Sequence, residues 1–350
     1  MAEPIVTLDN ASQVFSTRRG EIAAVDAISL SVEPGAVVCL VGESGSGKTT
    51  AGKMVAGLRP PTRGAVRYKG RDIWKLDKQD FREYRRAVQI VHQDPYASLN
   101  PIHTVYTTLS VPLRRHGGPG RTGTTRQQVS ELLTRVGLTP PETFIAKYPH
   151  QLSGGQRQRV SIARALTVNP RLIVADEATS MIDVSLRVSM LNTLRQLRDD
   201  LGVAFIFITH DLAIAKYFAW EGHIAVMYLG RIVEYGRTPT IINDAQHPYT
   251  RALLAAIPEP DPDLTRAKKA MELRSPDIPN LLEKPPGCSF HPRCPRFEDG
   301  LCDVDVPELV DIGGARFAAC HVVARERTGD IATVAADRLP LAATTIGERR

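Results

Sequence analysis

No run of apolar residues in this chain is long enough to cross a bilayer. The longest stretches, such as Leu201 to Ile208, fall far short of the roughly 20 residues a spanning helix needs, so no segment is expected to span a membrane by itself. The N-terminus lacks the basic patch and apolar stretch of a secretory signal, which leaves the reducing cytosol as the expected compartment. Cysteine is scarce, at 5 in 350 residues, and in that compartment its thiols are expected to stay free or bind metal rather than form disulfides. No internal repeat of fixed period is visible, and none of the architectures built on one is expected.

What is present is an ordinary globular composition, 43% hydrophobic and 23% charged over 38.4 kDa. That length suits one large core with an appendage and excludes disorder over most of the chain. The formal charge of +6 is unevenly placed: residues 1–260 carry 31 basic and 23 acidic side chains, and residues 261–350 carry 13 and 15. A basic first part suits nucleotide, nucleic acid or an anionic membrane surface, and does not choose among them.

From Val6 to about Val37, short β-branched runs interrupted at Arg18-Arg19-Gly20 predict antiparallel strands. Val37-Val38-Cys39-Leu40-Val41 is a continuous apolar run between glycines, the pattern of a buried parallel strand, with Cys39 as plain core. A helix is expected from Thr49 to Leu58, stopping before Pro60-Pro61. Residues 94–152 read as a helical subdomain broken by His116-Gly117-Gly118-Pro119-Gly120. Strand and helix then alternate: helix Gln158–Leu166, strand Leu172–Ala175, helix Val184–Leu197, strand Val203–Thr209, and a hairpin over 224–236. Such alternation predicts an α/β fold, a parallel sheet with helices on both faces. After Pro258 the texture changes, with nine Pro between 258 and 295 and four Cys from 288 onward. A domain boundary is expected there, followed by an extension over 258–325 and a patternless tail over 326–350.

Gly42-Glu43-Ser44-Gly45-Ser46-Gly47-Lys48-Thr49 fits the phosphate-binding P-loop, or Walker A, pattern. Its glycines let backbone N–H groups close around phosphate oxygens, Lys48 reaches the outer phosphates, and Thr49 offers a hydroxyl to Mg²⁺. The loop lies between a buried strand and a helix start, where the helix dipole also favours an anion, and Thr50 is expected with Thr49 among the nucleotide-binding residues. Leu172-Ile173-Val174-Ala175-Asp176-Glu177 ends a strand in two carboxylates. Asp176 is expected to hold Mg²⁺ through its water shell, and Glu177 to orient and deprotonate the attacking water.

Leu152-Ser153-Gly154-Gly155-Gln156 resembles the signature of ABC-type ATPases, and the other motifs of that family occur in order. Gln93, in Val91-His92-Gln93-Asp94-Pro95, looks like the Q-loop, which also senses Mg²⁺. Ser180-Met181-Ile182-Asp183 falls where the D-loop belongs, His210 looks like the switch histidine, and Phe15 is placed like the aromatic that stacks on adenine. The resemblance covers residues 4–257 and implies a P-loop ABC ATPase domain: mixed sheet core, antiparallel β subdomain and helical subdomain. It also implies that two such domains pack head to tail, with each ATP between one chain's Lys48 loop and the other's Ser153–Gln156 segment. Ala178 stands where the family often has Pro, and Met181-Ile182 replaces the usual small-Leu pair; neither change removes a reacting group.

Residues 93–101, Gln-Asp-Pro-Tyr-Ala-Ser-Leu-Asn-Pro, and 247–254, His-Pro-Tyr-Thr-Arg-Ala-Leu-Leu, look like the ATP-binding subunits of peptide and nickel importers. The segment Gly287-Cys288-Ser289-Phe290-His291-Pro292-Arg293-Cys294-Pro295 is similar to the C-terminal extension of those subunits. By count, Cys288, Cys294, Cys302 and Cys320 suit a [4Fe–4S] cluster or zinc equally, with His291 or His321 as substitute zinc ligands; the resemblance favours iron–sulfur. It further implies peptide import at the cytoplasmic face of the cell membrane, with two permease subunits, a second ATPase of the same or a related kind, and a solute-binding protein outside the membrane. Nickel or another small solute is the alternative cargo. A soluble ABC ATPase acting on nucleic acid or ribosomes is the rival class. Neither a coiled-coil insertion nor an aromatic-studded basic stripe favours that rival, so no nucleic-acid partner is expected. A regulatory module without hydrolysis is disfavoured by the presence of Glu177 and His210.

Overall fold

The computed structural model describes residues 3–116, 123–180, 182–257 and 271–329. β1 (Val6–Thr17) and β2 (Gly20–Val32) form a long antiparallel pair around the Arg18-Arg19 turn, in register from Val6 opposite Val32 to Thr17 opposite Gly20. Register shifts near Ala11 and Gln13 bend the pair, as extra residues in one strand do. β3 (Val37–Val41) follows and is buried along its whole length.

β4 (Arg63–Tyr68) and β5 (Arg71–Asp72) complete the antiparallel sheet in the order β2-β1-β4-β5. The second sheet takes β6 (Val88–Val91), β7 (Leu172–Asp176), β8 (Ala204–Thr209), β9 (His223–Tyr228), β10 (Arg231–Arg237), β11 (Val310–Asp311) and β12 (Phe317–Ala318) together with β3. Its order is β11-β12-β10-β9-β3-β8-β7-β6. The strands β6, β7, β8, β3 and β9 run parallel, and the β9-β10-β12-β11 edge is antiparallel.

Successive residues of β3 enter opposite cores. Val37, Cys39 and Val41 pack with the helical side, whereas Val38 and Leu40 pack with the antiparallel sheet. This period-2 division explains the unbroken apolar run: both faces of the strand are covered, so neither tolerates a polar residue. Cys39 is 0% exposed, and burial pushes its thiol pKa up, as suits a core residue.

Within residues 94–152 lie helices Pro95–Ser98, Val105–His116, Thr125–Arg135 and Glu142–Ile145. Thr124 and Gln127 close a capping box at the start of the third, satisfying two backbone donors that the helix leaves open. Residues 117–120 of the expected loop lie outside the described residues. The helix after the P-loop is Lys48–Val55, shorter than the expected Thr49–Leu58, because the chain turns at Gly57 in a left-handed conformation.

The C-terminal segment lies against the eight-stranded sheet. β12 pairs with β10, Glu234 opposite Ala318 and Tyr235 opposite Phe317, so this extension lengthens the main sheet. The first residues of the patternless tail expected from residue 326 are helical instead: helix His321–Thr328 runs into it and ends at Gly329, φ 73°. Ion pairs of Arg325 with Glu298 and Glu326 with Arg296 hold that helix, partners too distant in sequence to register as periodicity. The rest of the expected tail, 330–350, lies outside the described residues. Among the described residues no helix is long and apolar enough to cross a membrane.

Candidate nucleotide site

Four neighbouring parallel strands release the site residues at one edge: β3 into Gly42, β8 into His210, β7 into Glu177 and β6 into Gln93. The carboxyl ends of parallel strands are where ligands bind in open α/β sheets. The Gly42–Thr49 loop is wedged between neighbours at two points. A Cβ on Gly42 would lie 2.1 Å from the Met227 carbonyl oxygen, and one on Gly47, φ 100°, would lie 2.1 Å from that of Ala24. Only glycine fits either position.

Lys48 is 5% exposed, and its Nζ donates to the carbonyl oxygens of Gly42 at 2.7 Å and Glu43 at 2.8 Å, and to Ser46 Oγ at 3.3 Å. Burial lowers its pKa, while Glu177, Asp176 and Glu43 act in the opposite direction. Ser44 and Gly45 are exposed at the loop's crest, and Thr50 is half-buried. A buried cation under a glycine loop at a helix start is built to receive an anion.

Thr49 Oγ1 donates to Asp176 Oδ1 at 2.9 Å. Asp176 is 4% exposed, and its pKa is raised, chiefly by burial and also by Glu177, against the lowering effect of Thr49, Lys53 and His92. A hydroxyl and a carboxylate facing one another beside a phosphate loop are hard oxygen donors of the kind Mg²⁺ takes.

Glu177 gathers the remaining groups. Gln93 Nε2 donates to its Oε2 at 3.0 Å, and His210 Nδ1 lies 3.3 Å from its Oε1. Glu177 sits at φ 44°, a conformation that costs a non-glycine residue energy and recurs at functional sites. Its N–H bonds the Ile208 carbonyl at 3.0 Å, and its own carbonyl accepts from Ser180 Oγ at 2.9 Å, which holds it there.

The Ser153–Gln156 segment opens helix Gly154–Leu166. Ser153 Oγ accepts from Gln156 N at 3.3 Å, and Gln156 Oε1 accepts from Ser153 N at 3.0 Å, so both cap their own helix. Ser153, Gly155 and Gln156 line a cavity with Arg159, Ile182 and Leu186 that includes no P-loop residue. Asp183 is exposed at the start of helix Val184–Leu201, near exposed Leu186 and Val188; Met181 lies outside the described residues. Phe15 is half-buried, with the Arg59 guanidinium 4.8 Å from its ring centre, a cation–π contact.

Cys288, Cys294, Cys302 and Cys320 line one small cavity with His247, His291 and His321. Burial pushes the Cys288 thiol up to about 12 and the Cys294 thiol up to about 11. Among the described residues, however, no three His, Cys, Asp or Glu side chains are arranged to hold a metal ion. The expected set is therefore gathered in one place, but not arranged as metal ligands among the described residues.

Sequence reasoning missed Tyr249 and Arg293 as neighbours of the loop. The Tyr249 hydroxyl accepts from Glu43 N at 2.9 Å, and Arg293 pairs with the Glu43 carboxylate at 3.1 Å. Both lie in segments that resemble peptide-importer subunits, Tyr249 in residues 247–254 and Arg293 in residues 287–295, but nothing local ties either to the phosphate loop.

Residues 25–180 match the family described as ABC transporter. Over 94% of this chain and 91% of the other, the sequence is 42% identical to the probable peptide ABC transporter ATP-binding protein y4tS of Sinorhizobium fredii. The chain belongs to the ABC transporter ATP-binding proteins. It is 38% identical to another such relative, the oligopeptide transport ATP-binding protein AppF of Bacillus subtilis, over 89% of this chain and 93% of that one. A second family, described as oligopeptide/dipeptide transporter, C-terminal region, matches residues 233–302. Among solved structures, the ATP-binding cassette MJ0796, a dimer in a post-hydrolysis state with ADP and Pi, superposes with a TM-score of 0.59 at 29% identity, covering 67% of this chain and 98% of that one. As an ABC ATP-binding protein, the chain is an ATPase with the P-loop fold that its motifs predicted.

Proposed function

We propose that this chain binds and hydrolyses ATP to power the import of peptides across the cytoplasmic membrane, as a peripheral subunit at the cytoplasmic face. The observation that carries the cargo assignment is the joint match of an ABC ATPase domain and an oligopeptide/dipeptide transporter C-terminal region in one chain. The relatives named for peptide transport over nearly their whole length support it. Its partners in this reading are two permease subunits, a second ATPase subunit and, indirectly, an extracytoplasmic solute-binding protein.

The chemistry follows from the strand-end cluster. The Lys48 loop takes the phosphates, its ammonium turning from the Gly42 and Glu43 carbonyls towards the added negative charge. Thr49 and Asp176 would hold Mg²⁺, which supplies charge neutralisation at the phosphate oxygens. Glu177, fixed from both sides by Gln93 and His210, accepts the proton of the attacking water. Ser153, Gly155 and Gln156 face a separate cavity in the same chain, which supports the use of this segment on a partner's ATP. Binding then closes a pair of ATPase subunits, and hydrolysis reopens it.

The same reading assigns an iron–sulfur cluster to Cys288, Cys294, Cys302 and Cys320, with zinc as the alternative. Its support is the convergence of four thiols on one cavity; the absence of a metal-holding arrangement among the described residues weighs against it. No step of the mechanism runs through it.

The deciding experiment is recovery of the tagged chain from gently solubilised membranes. Two permeases and a second ATPase are expected, together with ATP-dependent peptide uptake when a matching binding protein is added. Recovery of ribosomal or DNA-repair proteins instead overturns the transport reading, and uptake of nickel but not peptide overturns the cargo.

A further inference from the structure

Glu43, the second residue of the phosphate loop, is held from outside that loop on two sides. Its N–H donates to the Tyr249 hydroxyl at 2.9 Å. Its two carboxylate oxygens accept from Arg293 Nη1 at 3.2 and 3.1 Å, across 250 residues of sequence. The Arg293 side chain is 9% exposed and that of Glu43 23%, so the pair is largely shielded from solvent. Beneath it lies an aromatic cluster: Phe290 is 5.4 Å, centre to centre, from both Tyr228 and Tyr249. The guanidinium carbon of Arg293 is 5.7 Å from the Phe290 ring centre. Arg293 is therefore fixed by the C-terminal segment and points at the P-loop.

The pairing has an electrostatic consequence. Glu43 is close enough to Lys48 for its charge to act on the ammonium, and the loop that carries it must receive a polyphosphate. An unpaired carboxylate there repels the ligand, and a shielded one repels more strongly than one in open water. We propose that Arg293 is an electrostatic support for ATP binding: pairing with Glu43 cancels that carboxylate's charge beside the phosphates. The C-terminal segment thereby becomes part of the support of the nucleotide site. This inference rests on the reading of the Lys48 loop as the ATP site.

The test is equilibrium ATP binding by the purified full-length chain as wild type, Arg293→Gln, Glu43→Gln, the double variant and Lys48→Ala, with folding checked by circular dichroism. Arg293→Gln is expected to weaken ATP binding on the order of fivefold, the scale of one screened charge, with the loss shrinking as salt rises. Glu43→Gln leaves a free cation near the phosphates and is expected to bind ATP at least as tightly as wild type. The double variant, without either charge, is expected to return to within about twofold of wild type. A brace with no electrostatic role would move both single variants in the same direction. Losses of like sign in the two, or an unchanged affinity in Arg293→Gln, overturn the proposal. Should Arg293→Gln fail to fold, weakened binding by Glu43→Gln overturns it alone. Unchanged ATP binding by Lys48→Ala would instead refute the loop assignment on which the proposal stands.

Discussion

Gln93 Nε2 donates to Glu177 Oε2 at 3.0 Å, although 84 residues separate the two. The bond joins the end of β6 to the end of β7 and occupies one carboxylate oxygen, while His210 Nδ1 stands 3.3 Å from the other. Glu177 is thus held by one group on each carboxylate oxygen, which fixes the direction of the side chain.

Glu177→Gln keeps the size of the side chain and its hydrogen-bonding reach but removes the basic oxygen. ATP turnover is expected to fall by roughly 10²–10⁴, with ATP affinity and ATP-dependent association of subunits retained. Unchanged steady-state hydrolysis in this variant would exclude Glu177 as the base.

His210→Ala removes one of the two groups that touch the Glu177 carboxylate. If Glu177 is the base, the expected loss lies mainly in kcat, about 10²-fold or more, with little change in KM, because the ring contacts Glu177 rather than the phosphate loop. A rise in KM at constant kcat would mean that His210 serves nucleotide binding instead.

Thr49→Ala removes the donor of the 2.9 Å hydrogen bond to Asp176, and Asp176→Asn replaces its charged acceptor with a neutral amide. Each also removes an oxygen donor suited to Mg²⁺. The Mg²⁺ concentration for half-maximal activity is expected to rise on the order of tenfold, with a larger effect for Asp176→Asn because it removes charge. Titrating ATPase activity with Mg²⁺ at saturating ATP separates this from a general loss of folding.

Much of this site was legible because its residues lie in short contiguous motifs at strand ends, where β-branched runs meet glycine or paired carboxylates. The central strand was readable for the same reason: burial on both faces leaves Val37–Val41 no polar position. What escaped were relationships between distant segments. β11 and β12 are two residues each, too short for any period, and owe their conformation to pairing, β12 with β10 and β11 with β12. The Arg293–Glu43 contact spans 250 residues and leaves no local signal. The left-handed backbone of Glu177 likewise follows from hydrogen bonds to Ile208 and Ser180 rather than from its own sequence context. The cysteines show the opposite limit, since a count of four thiols indicates a metal while their packed arrangement does not provide one.

The metal question has a direct measurement. If the iron–sulfur part of the proposal holds, the full-length chain purified without oxygen carries iron and labile sulfide, and Cys294→Ser loses both. Stoichiometric zinc without sulfide replaces that assignment with the alternative. A metal-free chain of unchanged thermal stability leaves the four thiols as core, in keeping with the burial that raises the Cys288 and Cys294 pKa values.

His223 provides a pH test independent of the nucleotide site. It begins β9, stacks on Tyr235 with ring centres 5.5 Å apart, and its Nδ1 is buried without a hydrogen-bond partner. Burial, aided by the Arg237 charge, lowers its pKa to about 4, against about 6.5 in an unfolded chain. Between those values the unfolded state binds a proton that the native state refuses, so the linkage slope makes stability rise with pH. At pH 7 His223 is neutral in both states and costs nothing. As the pH falls through 6.5 towards 4, it subtracts about 1.4 kcal/mol per unit. His223→Phe keeps a ring against Tyr235 and removes the titration, so the difference in urea midpoint between pH 7.5 and pH 5 should be smaller in the variant than in wild type. Equal differences would mean that His223 is protonated in the folded protein, with its charge accommodated beside Arg237.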